Sequence, residues 1–160
     1  LAVDPMIYAG FMNRVFDLWF EEDRTNLSFG FFENVLKGLL GSQPGVCHMR
    51  NSCYRHVKID YNGDILPCDE FLGLGFKFGN IVTQELNDVV QGENYRKFHR
   101  LTTEFPAECV SCKWLALCQG GCSRYSVDET FRKHLNTMCE SRKAIFDHIA
   151  QALGPQACIT

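Results

Sequence analysis

The sequence predicts an α+β fold that is mainly helical and carries one small β-hairpin. Apolar residues at helical spacing near both ends predict helices, and two β-favouring runs around an Asn-Gly turn predict the hairpin. The chain has 160 residues, of which 46% are hydrophobic and 22% are charged. These values are ordinary for a globular protein, so we expect one domain with its own hydrophobic core.

Four helical segments are expected, in the first twenty-odd residues, over 31–40, over 87–101 and over 139–153. Aliphatic and aromatic residues at intervals of three or four define their apolar faces. The candidate core residues are Phe11, Val15, Leu18 and Trp19 in the first segment, Val35, Leu36, Leu39 and Leu40 in the second, Val90, Tyr95, Phe98 and Leu101 in the third, and Ala144, Ile145, His148, Ile149 and Ala152 in the last.

The hairpin is the clearest strand signal. Residues 56–60 alternate between polar and apolar side chains, Asn62 and Gly63 follow, and residues 65–68 are again β-favouring. Asn and Gly both tolerate the positive φ that a tight hairpin turn requires. The glycine-rich residues 73–79 are predicted to form a loop.

Charge and hydropathy exclude some classes of function. The formal net charge is −3, which gives no reason to expect a nucleic acid or an anionic membrane surface as partner. No apolar run approaches the roughly 20 residues of a membrane span. The first ten residues carry no basic stretch, and we expect a cytoplasmic protein.

Nine cysteines are more than a chain of this size carries by chance. Their odd number and the lack of an export signal argue against a disulfide framework. Ligation of a metal or a cluster is the better interpretation. Cys158, close to the C-terminus and outside every motif, is expected to be a free thiol.

The cysteine spacing points to metal or cluster ligation. Four thiols lie within fourteen residues, in the pattern Cys109-x2-Cys112-x5-Cys118-x3-Cys122. Two cysteines separated by two residues can bind one metal centre from a single turn of the chain. Gly120 and Gly121 precede the fourth thiol and let the backbone approach a cluster closely. Further upstream, Cys47 and Cys53 precede the hairpin and Cys68 follows it, while Cys139 opens the last helix. Two zinc sites with four cysteine ligands each would satisfy the same count, so spacing alone leaves zinc open.

The cysteines follow a fixed pattern along the chain: C-x9-G-x4-C, then C-x2-C-x5-C-x3-C, then one further C. This pattern resembles that of the SPASM domain of radical S-adenosylmethionine maturases. The match runs over about residues 47–150, from Cys53, Gly63 and Cys68 to Cys139. Four short segments are similar to those of the anaerobic sulfatase-maturating enzymes and their peptide-modifying relatives. They are Asn62-Gly63-Asp64, Pro67-Cys68-Asp69, Phe78-Gly79-Asn80-Ile81 and Cys112-Lys113-Trp114.

The resemblance implies a fold organised around two cysteine-ligated [4Fe-4S] clusters. It assigns Cys47, Cys53, Cys68 and Cys122 to the first cluster and Cys109, Cys112, Cys118 and Cys139 to the second. It also places Asp69 where the relatives carry a proposed general base, although this residue could equally cap a turn. Arg124 is a candidate structural or cluster-charge partner.

The resemblance further implies the organisation and role of the parent protein. Residues 1–41 would be a helical linker to a radical S-adenosylmethionine barrel, residues 42–154 the twin-cluster domain and residues 155–160 a tail. The domain would accept an electron and shape the site where a peptide or protein side chain is oxidised, with flavodoxin or ferredoxin as reductant. A C-x3-C-x2-C loop is absent, because Tyr125 follows Cys118-x3-Cys122 where that loop needs its third cysteine, so we expect no activity from this chain alone.

Two alternatives to this oxidoreductase role remain open. The chain could be a stand-alone iron–sulfur module that transfers electrons or binds peptides in trans. It could also be an interaction domain stabilised by zinc.

Overall fold

The structure is a computed structural model that describes residues 3–53, 56–127 and 132–156. It confirms the predicted fold class, since most of its regular structure is helical and the rest is a small antiparallel sheet. The α-helices of the described residues are α1 (Pro5–Leu18), α2 (Gly30–Leu39), α3 (Leu86–Val90), α4 (Glu93–Thr103), α5 (Ala107–Val110), α6 (Leu115–Cys118) and α7 (Cys139–Leu153). The strands are β1 (Lys58–Ile59), β2 (Asp64–Leu66) and β3 (Gly79–Asn80).

The larger hydrophobic core is built by α1, α2, α6 and α7. Phe16, Phe32 and Phe146 are fully buried there, and the rings of Phe16 and Phe32 meet edge to face at 5.3 Å. Burial of each such side chain contributes about 1.5–3 kcal/mol. A hydrogen bond of 2.6 Å between Asp17 and His148 also joins α1 to α7. The segment before residue 42 is therefore part of the core.

The predicted apolar face of α1 is partly wrong. Trp19 is buried as expected, but Phe11 is 63% exposed and Leu18 is 45% exposed. The buried residues of the helix are Ala9, Met12 and Phe16. Because apolar residues occur on both sides of α1, periodicity alone does not show which side meets α7.

The sheet contains the predicted hairpin and a third strand. β1 pairs antiparallel with β2, with Ile59 opposite Ile65, and the predicted strands are longer than the observed ones. β3 pairs with the other edge of β2, so the expectation of a single hairpin is wrong in this respect. A two-residue strand is too short to show alternation in the sequence. The turn lies where the sequence predicts it, and Gly63 has the expected positive φ of 85°, whereas Asn62 does not adopt a positive φ.

A smaller core lies between the sheet, α3 and α4. It consists of Phe71, Phe76, Phe78 and Phe98 with Ile65 and Val89. The single helix predicted over 87–101 is instead α3 and α4, separated at Gln91 and Gly92. As a result Val89, and not the predicted Val90, is buried. The helices predicted over 31–40 and 139–153 are confirmed to within one residue.

Candidate metal centre

The structure describes eight of the nine cysteines, and all eight are free thiols. Cys158 lies outside the described residues. The eight thiols fall into two groups that do not follow their order in the sequence.

The first thiol group consists of Cys47, Cys53, Cys68 and Cys122. Burial raises the pKa of Cys47, Cys68 and Cys122. The charge of the nearby Cys53 raises the pKa of these three thiols further. The hydroxyl of the buried Ser123 donates to the Cys53 Sγ at 3.8 Å. This contact joins the loop after Cys122 to the segment before the hairpin, about seventy residues upstream.

The second thiol group consists of Cys109, Cys112, Cys118 and Cys139, which line one cavity. α5 and α6 carry Cys109 and Cys118, the turn between them carries Cys112, and Cys139 begins α7. The backbone N–H of Trp114 donates to the Cys112 Sγ at 3.4 Å. Backbone donors of this kind stabilise a thiolate ligand.

The two thiol groups contact different cores. Cys53 and Cys68 pack against the smaller core, whereas Cys112 and Cys118 pack against the larger one. Lys133 lies near one thiol of each group, because the charges of both Cys53 and Cys109 raise the pKa of its ammonium. Burial nevertheless lowers the pKa of Lys133, and its Nζ donates to the Leu101 carbonyl at 2.7 Å.

Burial sets the protonation of the thiols. It raises the pKa of Cys118 and raises that of Cys122 to about 11, so both are protonated at neutral pH without a cation. A bound metal stabilises the thiolate and displaces the proton. Eight thiols in two sets of four match the ligand requirement of two [4Fe-4S] clusters. Within residues 3–53, 56–127 and 132–156, no three His, Cys, Asp or Glu side chains are gathered closely enough to hold a single metal ion.

The loop between Cys118 and Cys122 has an unusual backbone. Gln119, Gly120 and Gly121 all have positive φ, which glycine adopts without strain. A Cβ atom at Gly121 would lie 2.8 Å from the Asn136 side chain and 3.2 Å from Arg142. Gly121 therefore leaves room for side chains from the region of α7. The predicted approach of the backbone to a cluster stays a prediction.

Asn136 holds this loop in place, a role that sequence analysis missed. Its buried Nδ2 donates to the carbonyls of Gly120 and Cys122, both at 3.1 Å. Its Oδ1 accepts from the Met138 N–H at 2.9 Å, immediately before α7. Asn136 thus ties a residue of the first thiol group to the helix that begins with Cys139.

We expect Asn136→Ala to lower the free energy of unfolding by about 1–3 kcal/mol, because it leaves buried backbone groups without partners. Urea unfolding followed by circular dichroism measures the change. Asn87→Ala is the matched control, because Asn87 is exposed and its side chain accepts a hydrogen bond from the nearby Gln91. Equal stability of the two variants would contradict this role for Asn136.

Asp69 lies at the surface beside the first thiol group. It directly follows Cys68 and begins a short 3₁₀ turn, and its side chain is 79% exposed. Lys58 of β1 donates from its Nζ to the Asp69 carboxylate. This contact raises the pKa of Lys58, so the lysine is charged at neutral pH. The carboxylate is therefore accessible and held in one direction.

Comparison with known proteins relates part of the chain to iron–sulfur domains. Residues 47–113 match the family model of SPASM, an iron–sulfur cluster-binding domain. Residues 47–113 are thus similar to a SPASM domain. The matched residues include five of the eight thiols, and Cys118, Cys122 and Cys139 follow them in the sequence.

Curated relatives that match most of this chain are anaerobic sulfatase-maturating enzymes. The chain is 31% identical over 152 residues to the serine-type anaerobic sulfatase-maturating enzyme of Bacteroides thetaiotaomicron, covering 93% of this chain and 37% of the relative. It is 27% identical over 150 residues to the cysteine-type enzyme of Clostridium perfringens, covering 92% of this chain and 40% of the relative. The chain thus spans about two fifths of the length of these curated relatives.

Solved structures share the same fold. Native anSMEcpe with bound AdoMet and Kp18Cys peptide matches with a TM-score of 0.81 and 27% identity, over 95% of this chain and 43% of that chain. Native anSMEcpe with bound AdoMet matches with a TM-score of 0.79 and covers 95% of this chain and 42% of that chain.

None of the helices in the described part of the chain has the length and apolar character of a membrane span.

Proposed function

We propose that the chain holds two [4Fe-4S] clusters, one in each thiol group. The main support for this proposal is that the eight free thiols form two sets of four. The second set lines one cavity. Cys122 belongs to the first set although its sequence neighbours belong to the second. A cluster with four thiolate ligands supplies one-electron transfer when bound and has no open iron for a substrate.

We further propose that the chain is the C-terminal part of a radical S-adenosylmethionine maturase that oxidises a side chain of a peptide or protein. The similarity to sulfatase-maturating enzymes along most of this chain supports this. S-adenosylmethionine would bind in a barrel domain, because Tyr125 occupies the position at which a C-x3-C-x2-C loop would need its third cysteine. Flavodoxin or ferredoxin would supply electrons to the parent enzyme.

Residues 1–41 would join that barrel to the twin-cluster domain of residues 42–154, with 155–160 as a tail. Ile7 and Phe11 are four residues apart on α1 and are 71% and 63% exposed, and Val3, which precedes the helix, is 60% exposed. Residues four apart lie on the same side of a helix. An exposed apolar stripe on a helix whose other side is buried is typical of a surface that another part of a protein covers.

Asp69 is our candidate for the general base of the parent reaction. Forming a carbonyl or a new bond after hydrogen abstraction requires the loss of one electron and usually one proton. Asp69 is one residue from Cys68, and its exposed carboxylate can accept a proton from a substrate placed over this surface. Lys58 orients that carboxylate. The competing explanation is that the Lys58–Asp69 pair only stabilises the hairpin.

Anaerobic reconstitution of this chain with iron and sulfide tests the cluster assignment. We expect a brown protein with broad visible absorption from thiolate-to-iron charge transfer that bleaches on reduction. Reconstitution with zinc in place of iron and sulfide is the control. A protein that stays colourless with iron and sulfide, while holding two zinc ions tightly, would show that these are structural zinc sites.

A further inference from the structure

A half-buried arginine lines the cavity of the second thiol group. Arg142 lies on α7, three residues after Cys139, and borders the same cavity as Cys109, Cys112 and Cys118. Its Nε and Nη2 atoms are buried and have no hydrogen-bond partner in the part of the chain that the structure describes. Buried guanidinium donors are rarely left unpaired, since desolvation of a charged donor is costly unless an acceptor replaces water.

The guanidinium is held between an aromatic ring and a glycine. Its Cζ lies 5.9 Å from the centroid of the Phe146 ring, one helical turn along α7. A Cβ atom at Gly121 would lie 3.2 Å from its Nη1, so the absence of a side chain there leaves room for the arginine. These contacts fix the position of the unpaired donors.

The guanidinium of Arg142 lies close to one thiol of this group. Burial raises the pKa of Cys118, and the guanidinium opposes this rise. Burial, and to a lesser extent Arg142, also lowers the pKa of the neighbouring His48 to about 4. Arg142 therefore lies near both Cys118 and His48.

We propose that Arg142 donates its Nε–H and Nη2–H to sulfur atoms of the second cluster and thereby raises the reduction potential of that cluster. The inference rests on the proposed cluster site. Reduction adds one negative charge to the cluster, and charge-assisted hydrogen bonds stabilise the reduced form more than the oxidised form. Because Arg142 lines the cavity of the second thiol group, the second cluster should be easier to reduce than it would be without this arginine.

Redox titration followed by electron paramagnetic resonance tests the proposal on the anaerobically reconstituted full-length protein. Cys53→Ala and Cys112→Ala variants assign the signals of the two clusters. We expect Arg142→Met to disfavour reduction of the second cluster about tenfold, equivalent to about 59 mV for one electron, with the first cluster unchanged. Arg142→Lys, which keeps the charge but not the planar donors, should give a smaller shift. Arg100→Met is the control, because Arg100 is exposed on α4.

A second measurement does not depend on whether these variants assemble. In wild-type protein made with isotopically labelled arginine, pulsed electron paramagnetic resonance should detect guanidinium nitrogen coupled to the second cluster and not to the first. An intact second cluster without this coupling, or with an unchanged potential in Arg142→Met, overturns the proposal. Failure to form any iron–sulfur cluster would instead overturn the proposed function.

Discussion

Cys122→Ala is expected to destroy the same cluster as Cys53→Ala, although the two cysteines are almost seventy residues apart. Both belong to the first thiol group, where Ser123 contacts the Cys53 sulfur. Loss of one thiolate from a site with four leaves the cluster incompletely ligated, so iron content should fall from about eight to about four per chain. Iron analysis and electron paramagnetic resonance of the remaining cluster measure the effect.

Cys118→Ala is the matched variant for this prediction. Cys118 is only four residues from Cys122 but lines the cavity of the second thiol group. It should remove the other cluster and leave the signal that Cys53→Ala abolishes. If Cys122→Ala and Cys112→Ala instead disturb one and the same cluster, residues 109–122 form a local site and the crossover is wrong.

Asp69→Asn in the full-length enzyme is expected to slow product formation by roughly 10²–10⁴-fold, the usual contribution of a positioned base. The change keeps the size of the side chain and removes its ability to accept a proton. Iron content should stay the same, because Asp69 is not a thiol ligand. Cleavage of S-adenosylmethionine should continue without product, and chromatography of both products measures this uncoupling.

Two further variants separate catalysis from stability. Asp88→Asn alters another exposed carboxylate, on α3, and should leave the rate unchanged. Lys58→Met removes the partner of Asp69 but keeps the carboxylate, so its effect should be much smaller than that of Asp69→Asn. Equal losses in Lys58→Met and Asp69→Asn, together with lower stability, would show that the pair only holds the hairpin.

Local patterns explain which parts of the fold could be predicted. The Asn62–Gly63 turn and α7 depend on backbone preference and on residues within one or two turns, and both were predicted closely. β3 was missed because it exists only through pairing with β2. The buried face of α1 was misplaced because its apolar residues surround the helix, and only α7 decides which of them are covered.

The same reasoning applies to the candidate site. Spacing indicated that the cysteines are ligands, whereas their division into two groups followed from the family resemblance. Asn136 and Arg142 were missed because their partners lie in a loop at least fourteen residues away. One signal was available for both: each is three residues from Cys139, and Arg142 therefore shares a side of α7 with that thiol.

The number of irons and sulfides per chain tests the central claim most directly. This chain, reconstituted anaerobically and freed of unbound metal, should contain about eight irons and about eight acid-labile sulfides, as two [4Fe-4S] clusters require. The measurement combines metal analysis, sulfide analysis and quantitative amino-acid analysis of the same sample. A reproducible content of about four irons, or of two zinc ions with no sulfide, would contradict the twin-cluster account.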